Sequence, residues 1–342
     1  MKTKPEAKAG IREVAALAGV SPATVSRVLN GSPTVQDRHR RRVLEAAARV
    51  DYRPNRLARN LRLQKAETIA VVVPDIENPH FGEAVRVIEG AVFEAGYRLL
   101  LCNTDETVEK QVAYLEFLAD ERALGVIAAS ADSRGTGLEL LLDLGIPVVA
   151  FDRPVHGHRV DEVVCDNAEA SRIATEHLVW LGHERIAYVG GRPDVDTGAE
   201  RLRGYTEAMR AAGLTPFAVN GEFRSDLADR EVTTLLELPS RPTALVVANN
   251  LMALGALRAI RRSGLGVPGD ISIVAVDDPP WAELVDPPLT VVAQPVKRMA
   301  ETCIELLLER VRGYDGEPVQ TTMPLDLRLR GSCGARAGAG ER

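Results

Sequence analysis

The sequence predicts an α/β protein that carries a small all-helical headpiece, on three observations. The stretch Ile11–Asn30, IREVAALAGVSPATVSRVLN, has the spacing of a helix-turn-helix. Residues 1–65 hold 15 Lys and Arg against 5 Asp and Glu, whereas the rest of the chain holds 27 against 43. From Thr68 onward, short apolar runs alternate with amphipathic segments, the pattern of parallel sheets covered on both faces. The net charge of −6 thus hides a basic arm on an acidic body, the charge pattern of a nucleic-acid-binding segment.

In the headpiece, Ile11, Val14, Ala15 and Ala18 fall on one apolar helix face. Gly19 can take the positive φ of a turn, and Ser21-Pro22 supplies an N-cap and a first helical position. A second helix from Pro22 to about Leu29 buries Val25, Val28 and Leu29, leaving Ala23, Thr24, Ser26 and Arg27 available. Short side chains there let the backbone approach a duplex, and Arg27 can reach a guanine edge or a phosphate. A third helix is expected over Gln36–Val50, where Arg38-His-Arg-Arg-Arg42 offers phosphate contacts that set register rather than read bases. After it, Pro54-Asn55 can start a short helix with Leu57, Ala58 and Leu61 on one side, too short to be stable alone.

In the body, strands are expected at Ile69–Val73, Leu99–Cys102, Val126–Ala129, Val148–Phe151, Ile186–Val189, Leu245–Ala248 and Ile271–Val276. Helices are expected at Phe81–Glu94, Val108–Ala119, Ala168–Trp180, Gly198–Ala211, Ser225–Leu236 and Met252–Arg262. Ligands of such sheets bind beyond the carboxyl ends of the strands. Those ends are polar here: Asp75-Ile-Glu-Asn78, Asp152-Arg153, Gly191-Arg192, Asn249-Asn250 and Asp277-Asp278.

Several function classes are excluded. Residues 1–10 are polar and charged, unlike a secretory signal, and no apolar run approaches the roughly 20 residues of a membrane span. A cytoplasmic protein without a membrane partner is expected. The widely spaced Cys102, Cys165, Cys303 and Cys333 form no CxxC pair and read as free thiols. No phosphate loop, GxGxxG turn, HExxH or GxSxG motif occurs, so no catalytic residue, metal or cofactor is expected. A nucleotide-cofactor enzyme would carry a glycine-rich loop after Val73, where Pro-Asp-Ile-Glu-Asn-Pro stands instead.

Three motifs, in fixed order, carry a resemblance. They are Val14-Ala-x-x-Ala-Gly-Val-Ser21, Thr24-Val-Ser-Arg-Val-Leu-Asn30 and Tyr52-x-Pro-Asn55. With them the chain resembles the lactose and purine repressor (LacI) family of bacterial transcriptional regulators, nearly throughout. The resemblance implies a headpiece over 1–52, a hinge helix and linker over 53–66, and an effector-binding core over 67–330. That core is similar to periplasmic sugar-binding proteins, with two Rossmann-like lobes joined by three crossovers. The first lobe would take about 67–160 and 294–325, the second about 161–292.

DNA contacts implied by the resemblance fall on Ser21, Pro22, Ala23, Thr24, Ser26, Arg27 and Asn30, and in the hinge on Asn55, Ala58 and Leu61. Leu61 matches a leucine that wedges into the minor groove when two hinges pack together. Effector contacts fall on Asn78, Phe81, Asp152 and Arg153 in the first lobe, and on Arg201, Phe223, Asn249 and Asp277 in the second. Trp281 is a further stacking candidate. The family commonly has an acid where Asn250 stands. Plainer roles are also open: Asp277 could cap a turn, and Arg201 could pair with Glu200 or Glu207.

The expected function is a homodimeric regulator that represses from a palindromic double-stranded operator until a small sugar or sugar phosphate releases it. The alternative is a regulator that needs a purine-type corepressor. A solute-binding receptor without DNA activity would lack the basic headpiece. Residues 331–342, small and charged without a leucine heptad, are expected to form a disordered tail, favouring dimer over tetramer.

Overall fold

The structure, a computed structural model, describes residues 10–29, 35–50, 52 and 68–336. The chain divides into two compact units, Met1–Ala66 and Glu67–Arg342.

Among its described residues the first unit holds three helices: α1 (Ile11–Ala18), α2 (Pro22–Leu29) and α3 (Asp37–Arg49). Val14, Ala15, Ala18, Val25, Val28, Val43, Ala46 and Ala47 form its small core, with Ile11, Leu29 and Tyr52 packed around them. Gly19 ends α1 at φ 60°, ψ 43°, a left-handed conformation that favours glycine, and the amide of Val20 donates to Ala15 O at 3.1 Å. A Cβ at Gly19 would also meet the Arg42 guanidinium of α3. Asn30 and the hinge residues Asn55, Ala58 and Leu61 lie outside the described residues.

The second unit is built on two six-stranded sheets. The first contains β1 (Thr68–Val73), β2 (Arg98–Asn103), β3 (Gly125–Ala128), β4 (Val148–Phe151), β5 (Asp161–Cys165) and β11 (Gln320–Met323), in the order β11-β5-β4-β3-β1-β2. The second contains β6 (Ile186–Gly190), β7 (Phe217–Asn220), β8 (Ala244–Val247), β9 (Ser272–Val276), β10 (Thr290–Ala293) and β12 (Asp326–Arg328), in the order β12-β10-β9-β8-β6-β7. All pairings are parallel except β10 with β12. The central strands β3, β4, β6, β8, β9 and β10 are buried along their whole length, as sheets covered on both faces require.

Helices α4 (Pro79–Glu94), α5 (Val108–Asp120) and α6 (Leu138–Asp143) connect the first sheet. Helices α7 (Asn167–Trp180), α8 (Asp196–Ala211), α9 (Ser225–Leu236) and α10 (Asn250–Arg262) serve the second, and α11 (Val296–Val311) returns to the first. The chain crosses between lobes after β5, after β10 and between β11 and β12. The first crossover falls later than the expected boundary near 160, because β5 pairs with β4 and belongs to the first lobe. Arg310 of α11 explains the anchoring: its guanidinium donates to both oxygens of buried Asp161, each at 2.8 Å, tying the returning helix to the start of β5.

The expected tail needs correcting for residues 331–336, which pack on the second lobe. Ser332 is 1% exposed; its hydroxyl accepts from Thr290 N at 2.8 Å and donates to Ile273 O at 2.7 Å. The Gly334 amide donates to Ser272 Oγ, and the Arg336 amide to Leu181 O. Small residues suit this place, since one short hydroxyl satisfies two backbone groups that burial would otherwise strand. Among the described residues, no helix is long and apolar enough to cross a membrane.

Close approach of α7 and α8 depends on Gly204, where a Cβ would lie 1.9 Å from Ala168 O. Gly204→Ala should therefore destabilise the second lobe by about 1–3 kcal/mol, read as a lower urea midpoint with unchanged slope.

Candidate functional site

In the headpiece, Ser21 caps α2: its hydroxyl accepts from the Thr24 amide at 3.1 Å. Ser21, Pro22, Ala23 and Arg27 are exposed, and Thr24 and Ser26 are half-buried. The helix therefore buries Val25 and Val28 and turns a face of short polar groups plus one guanidinium to solvent.

The larger site lies between the two lobes, where both sheets end. The cavity there is lined by Asn78, Phe81, Asp152 and Arg153 from the first lobe. Arg201, Phe223, Asn249, Asp277 and Thr197 line it from the second, with His80 and Glu106 of the first lobe and Gln294 after β10 completing the wall. Backbone strain is concentrated here. Glu106, Asp152, Glu222, Phe223 and Asp277 all line the cavity and all have left-handed φ, from 51° to 76°. Such conformations cost about 1–3 kcal/mol each and persist only where the surroundings enforce them.

The polar groups are ordered by one another. Asn78 caps α4, its Oδ1 accepting the His80 amide at 2.9 Å, and Asn249 caps α10 by accepting the Met252 amide at 2.8 Å. Arg201 is 4% exposed and donates to Asn167 Oδ1 and to Ala248 O at 2.8 and 2.6 Å, not to Glu200 or Glu207. Asp277 Oδ1 accepts from Gln294 Nε2 at 2.7 Å, and its Oδ2 accepts from Asn250 Nδ2 at 3.1 Å. The same Asn250 amide reaches Asn78 Oδ1 at 2.8 Å, joining the lobes. An acid at position 250 could not donate these bonds and would set a second negative charge beside Asp277, so the amide suits this cleft.

Arg153 is 4% exposed and forms a two-point pair with Glu106, at 2.6 and 2.8 Å, while also donating to Ser130 O. Its guanidinium carbon stands 6.0 Å from the Phe81 ring centre and 5.7 Å from that of Phe223. Across the cleft mouth, Arg192 donates to the carbonyl of Glu106. Burial disfavours the Asp152 carboxylate, but the charges of His80, Arg201 and Arg153 outweigh it and hold its pKa below the ordinary value.

Eight of the effector positions expected from the sequence, Asn78, Phe81, Asp152, Arg153, Arg201, Phe223, Asn249 and Asp277, line this one cavity. Trp281 does not. It sits in a 3₁₀ turn (Pro280–Glu283) and packs against the core of the second lobe, so its stacking role is withdrawn. Sequence reasoning missed His80, Glu106 and Gln294. A histidine in the first turn of a helix that starts at a strand end was a readable signal; Gln294 carried none. Burial pushes the thiol of Cys102 up to about 11 and that of Cys165 to about 12, so both stay protonated and inert.

Residues 10–55 match the family model of bacterial regulatory proteins, lacI family, and residues 175–333 match that of the periplasmic binding protein-like domain. The HTH-type transcriptional repressor PurR of Aliivibrio fischeri is 37% identical over 315 residues, which cover 90% of this chain and 94% of the relative. The chain belongs to the LacI family. It is a DNA-binding transcriptional repressor with a periplasmic-binding-protein-like core, and not an enzyme. Among solved structures, the transcriptional regulator CelR–cellobiose complex is 34% identical, with a TM-score of 0.72, over 95% of this chain and 99% of that one. The Lac repressor dimer bound to operator and the anti-inducer ONPF is 27% identical, with a TM-score of 0.83, over 96% and 100%.

The Arg153–Glu106 pair gives the cleft of this repressor a direct test. Glu106→Gln removes the counter-charge and one of the three acceptors of a buried guanidinium and should cost about 1.5–3 kcal/mol, measured by calorimetric unfolding.

Proposed function

We propose that this repressor leaves a two-fold symmetric operator when a small carbohydrate binds between its lobes. One observation carries the reading. The cleft walls hold buried polar atoms of both kinds without hydrogen-bond partners: a donor at Arg153 Nε and an acceptor at Gln294 Oε1. A hydroxyl donates and accepts at once, so a polyhydroxylated ligand satisfies such a mixed set, with Asp152 and Asp277 as further acceptors.

The purine-corepressor reading is favoured by the similarity to PurR. Against it, a planar heterocycle would need the faces of Phe81 and Phe223, and the Arg153 guanidinium already stands against both rings. The cellobiose complex of a similar regulator supports a sugar.

Operator contact is assigned to the exposed face of α2, with Arg27 reading a base edge. From the sequence, Asn30, Asn55, Ala58 and Leu61 extend that interface, Leu61 as the minor-groove wedge. Effector binding then acts by changing how two hinges can meet on DNA, a coupling between separate sites. Pairing of two copies is supported by Phe93 on α4 and Leu101 on edge strand β2, 64% and 41% exposed. Such a repressor works in the cytoplasm, where its operator is.

The test is fluorescence anisotropy of the protein on a duplex from upstream of its own gene, titrated with monosaccharides, disaccharides, sugar phosphates and nucleobases. Release by a sugar is expected; tighter binding with a nucleobase would sink the carbohydrate reading. Asp277→Asn should abolish the response while operator binding survives, and loss of both would make Asp277 structural. Arg27→Ala should lose about 1–3 kcal/mol of discrimination between operator and random duplex, and a uniform loss on both would mark a phosphate contact instead.

A further inference from the structure

Two carboxylates, each 5% exposed, face the cleft from opposite lobes: Asp152 after β4 and Asp277 after β9. Buried like charges destabilise one another unless a cation stands between them. Arg201 is close by, but its Nε and Nη1 are committed to Asn167 and Ala248 of its own lobe. The group set between the carboxylates is His80, in the first turn of α4 and 5% exposed. Its Nε2 lies 3.2 Å from Asp152 Oδ1 and its Nδ1 3.7 Å from Asp277 Oδ1. Neither nitrogen makes an aligned hydrogen bond, so the imidazole is placed for charge pairing on both sides.

We propose that His80 is the positioning residue of this cleft: as an imidazolium between Asp152 of one lobe and Asp277 of the other, it aims both carboxylates and ties lobe closure to a proton. The proposal rests on the effector reading above only in taking those carboxylates as ligand groups.

The surroundings of His80 agree. Phe81 and Phe151 pack against the ring, at 5.1 and 5.7 Å between centres, and keep water away. The charged groups facing it are Asp152, Asp277 and Arg201, while Asn78, Asn250 and Gln294 supply neutral polar contact nearby. Arg153, whose guanidinium stands 6.0 Å from the Phe81 ring centre, is neutralised by Glu106. Burial alone would lower the histidine pKa, and Arg201 opposes the charge as well, yet the two aspartates prevail and raise it above 6.5. A pKa raised in the folded state stabilises that state fully below the ordinary histidine value. The contribution is lost as pH rises through the raised value.

The experiment uses the full chain with ¹³C-labelled histidines and no added effector, so its outcome is independent of which ligand the repressor takes. The ring signal missing from His80→Gln is followed by NMR from acid to alkaline pH, in the native sequence and in Asp152→Asn and Asp277→Asn. A midpoint above 6.5 that falls in both variants is the expected result. A midpoint at or below 6.5, or one that either substitution leaves unmoved, overturns the bridge. As a second readout, the difference in Tm between the native protein and His80→Gln should shrink as pH rises through that midpoint. A difference constant with pH would make His80 a packing residue only.

Discussion

Parallel strand order is the constraint from which the rest follows. Because the strands of each lobe run parallel, except β12, their carboxyl ends gather along one edge, and the two such edges face each other. The loops that leave these strand ends hold Asp152, Phe223 and Asp277 at left-handed φ on one cavity wall or the other. The architecture thus collects short polar side chains in a single seam and holds them there at a conformational cost that the packed sheets offset.

That seam is organised by charge compensation across it. First-lobe Glu106 holds Arg153, whose guanidinium stands against Phe223 of the second lobe. Asn250 of the second lobe binds Asn78 of the first. At the mouth, His156 meets Asp196 at 2.9 Å, a largely exposed contact that adds little. The strong contacts are the buried ones, and those of Asn250 with Asn78, of His80 with Asp277 and of Arg153 with the Phe223 ring need both lobes. Opening the cleft therefore exchanges protein partners for water at several buried groups together, a reason for two discrete arrangements rather than a continuous range.

Much of this was legible in the sequence. Amphipathic helices such as 108–120 and 225–236 are announced by period, and most buried strands by uninterrupted aliphatic runs, although the fully buried β10 is not among the strands expected. The strand Asp161–Cys165 was not, because it opens on two acids. What permits Asp161 to be buried is Arg310, 149 residues away, and no local pattern carries that partner. β11 and β12 were missed for a related reason, being short polar edge strands whose only hydrophobic instruction comes from neighbours. In the cleft, Arg201 and Asp277 could be found from strand ends and a family pattern. Trp281 could not be placed by type alone, since a large aromatic four residues after Asp277 is as well served by the core beside it. His80 shows the opposite failure: an ordinary residue by sequence, made unusual by two aspartates from distant strands.

The exchange of helices between lobes bears on how the chain is made. The segment after β5 goes to the second lobe as α7, and the segment after β10 comes back to the first as α11. On the ribosome, the first 165 residues supply five of the first sheet's six strands but not the helix that covers one of its faces, nor the edge strand β11. The part of that face not already covered by α4 must wait until residues 296–323 have emerged, with Ile127, Val149 and Val163 of the sheet uncovered in the meantime. The second lobe has no such delay beyond β12 and the strap at 331–336. The later-synthesised lobe is thus nearer completion while the earlier one is still open, and the nascent protein passes through a stage in which its oldest strands are its most exposed to aggregation.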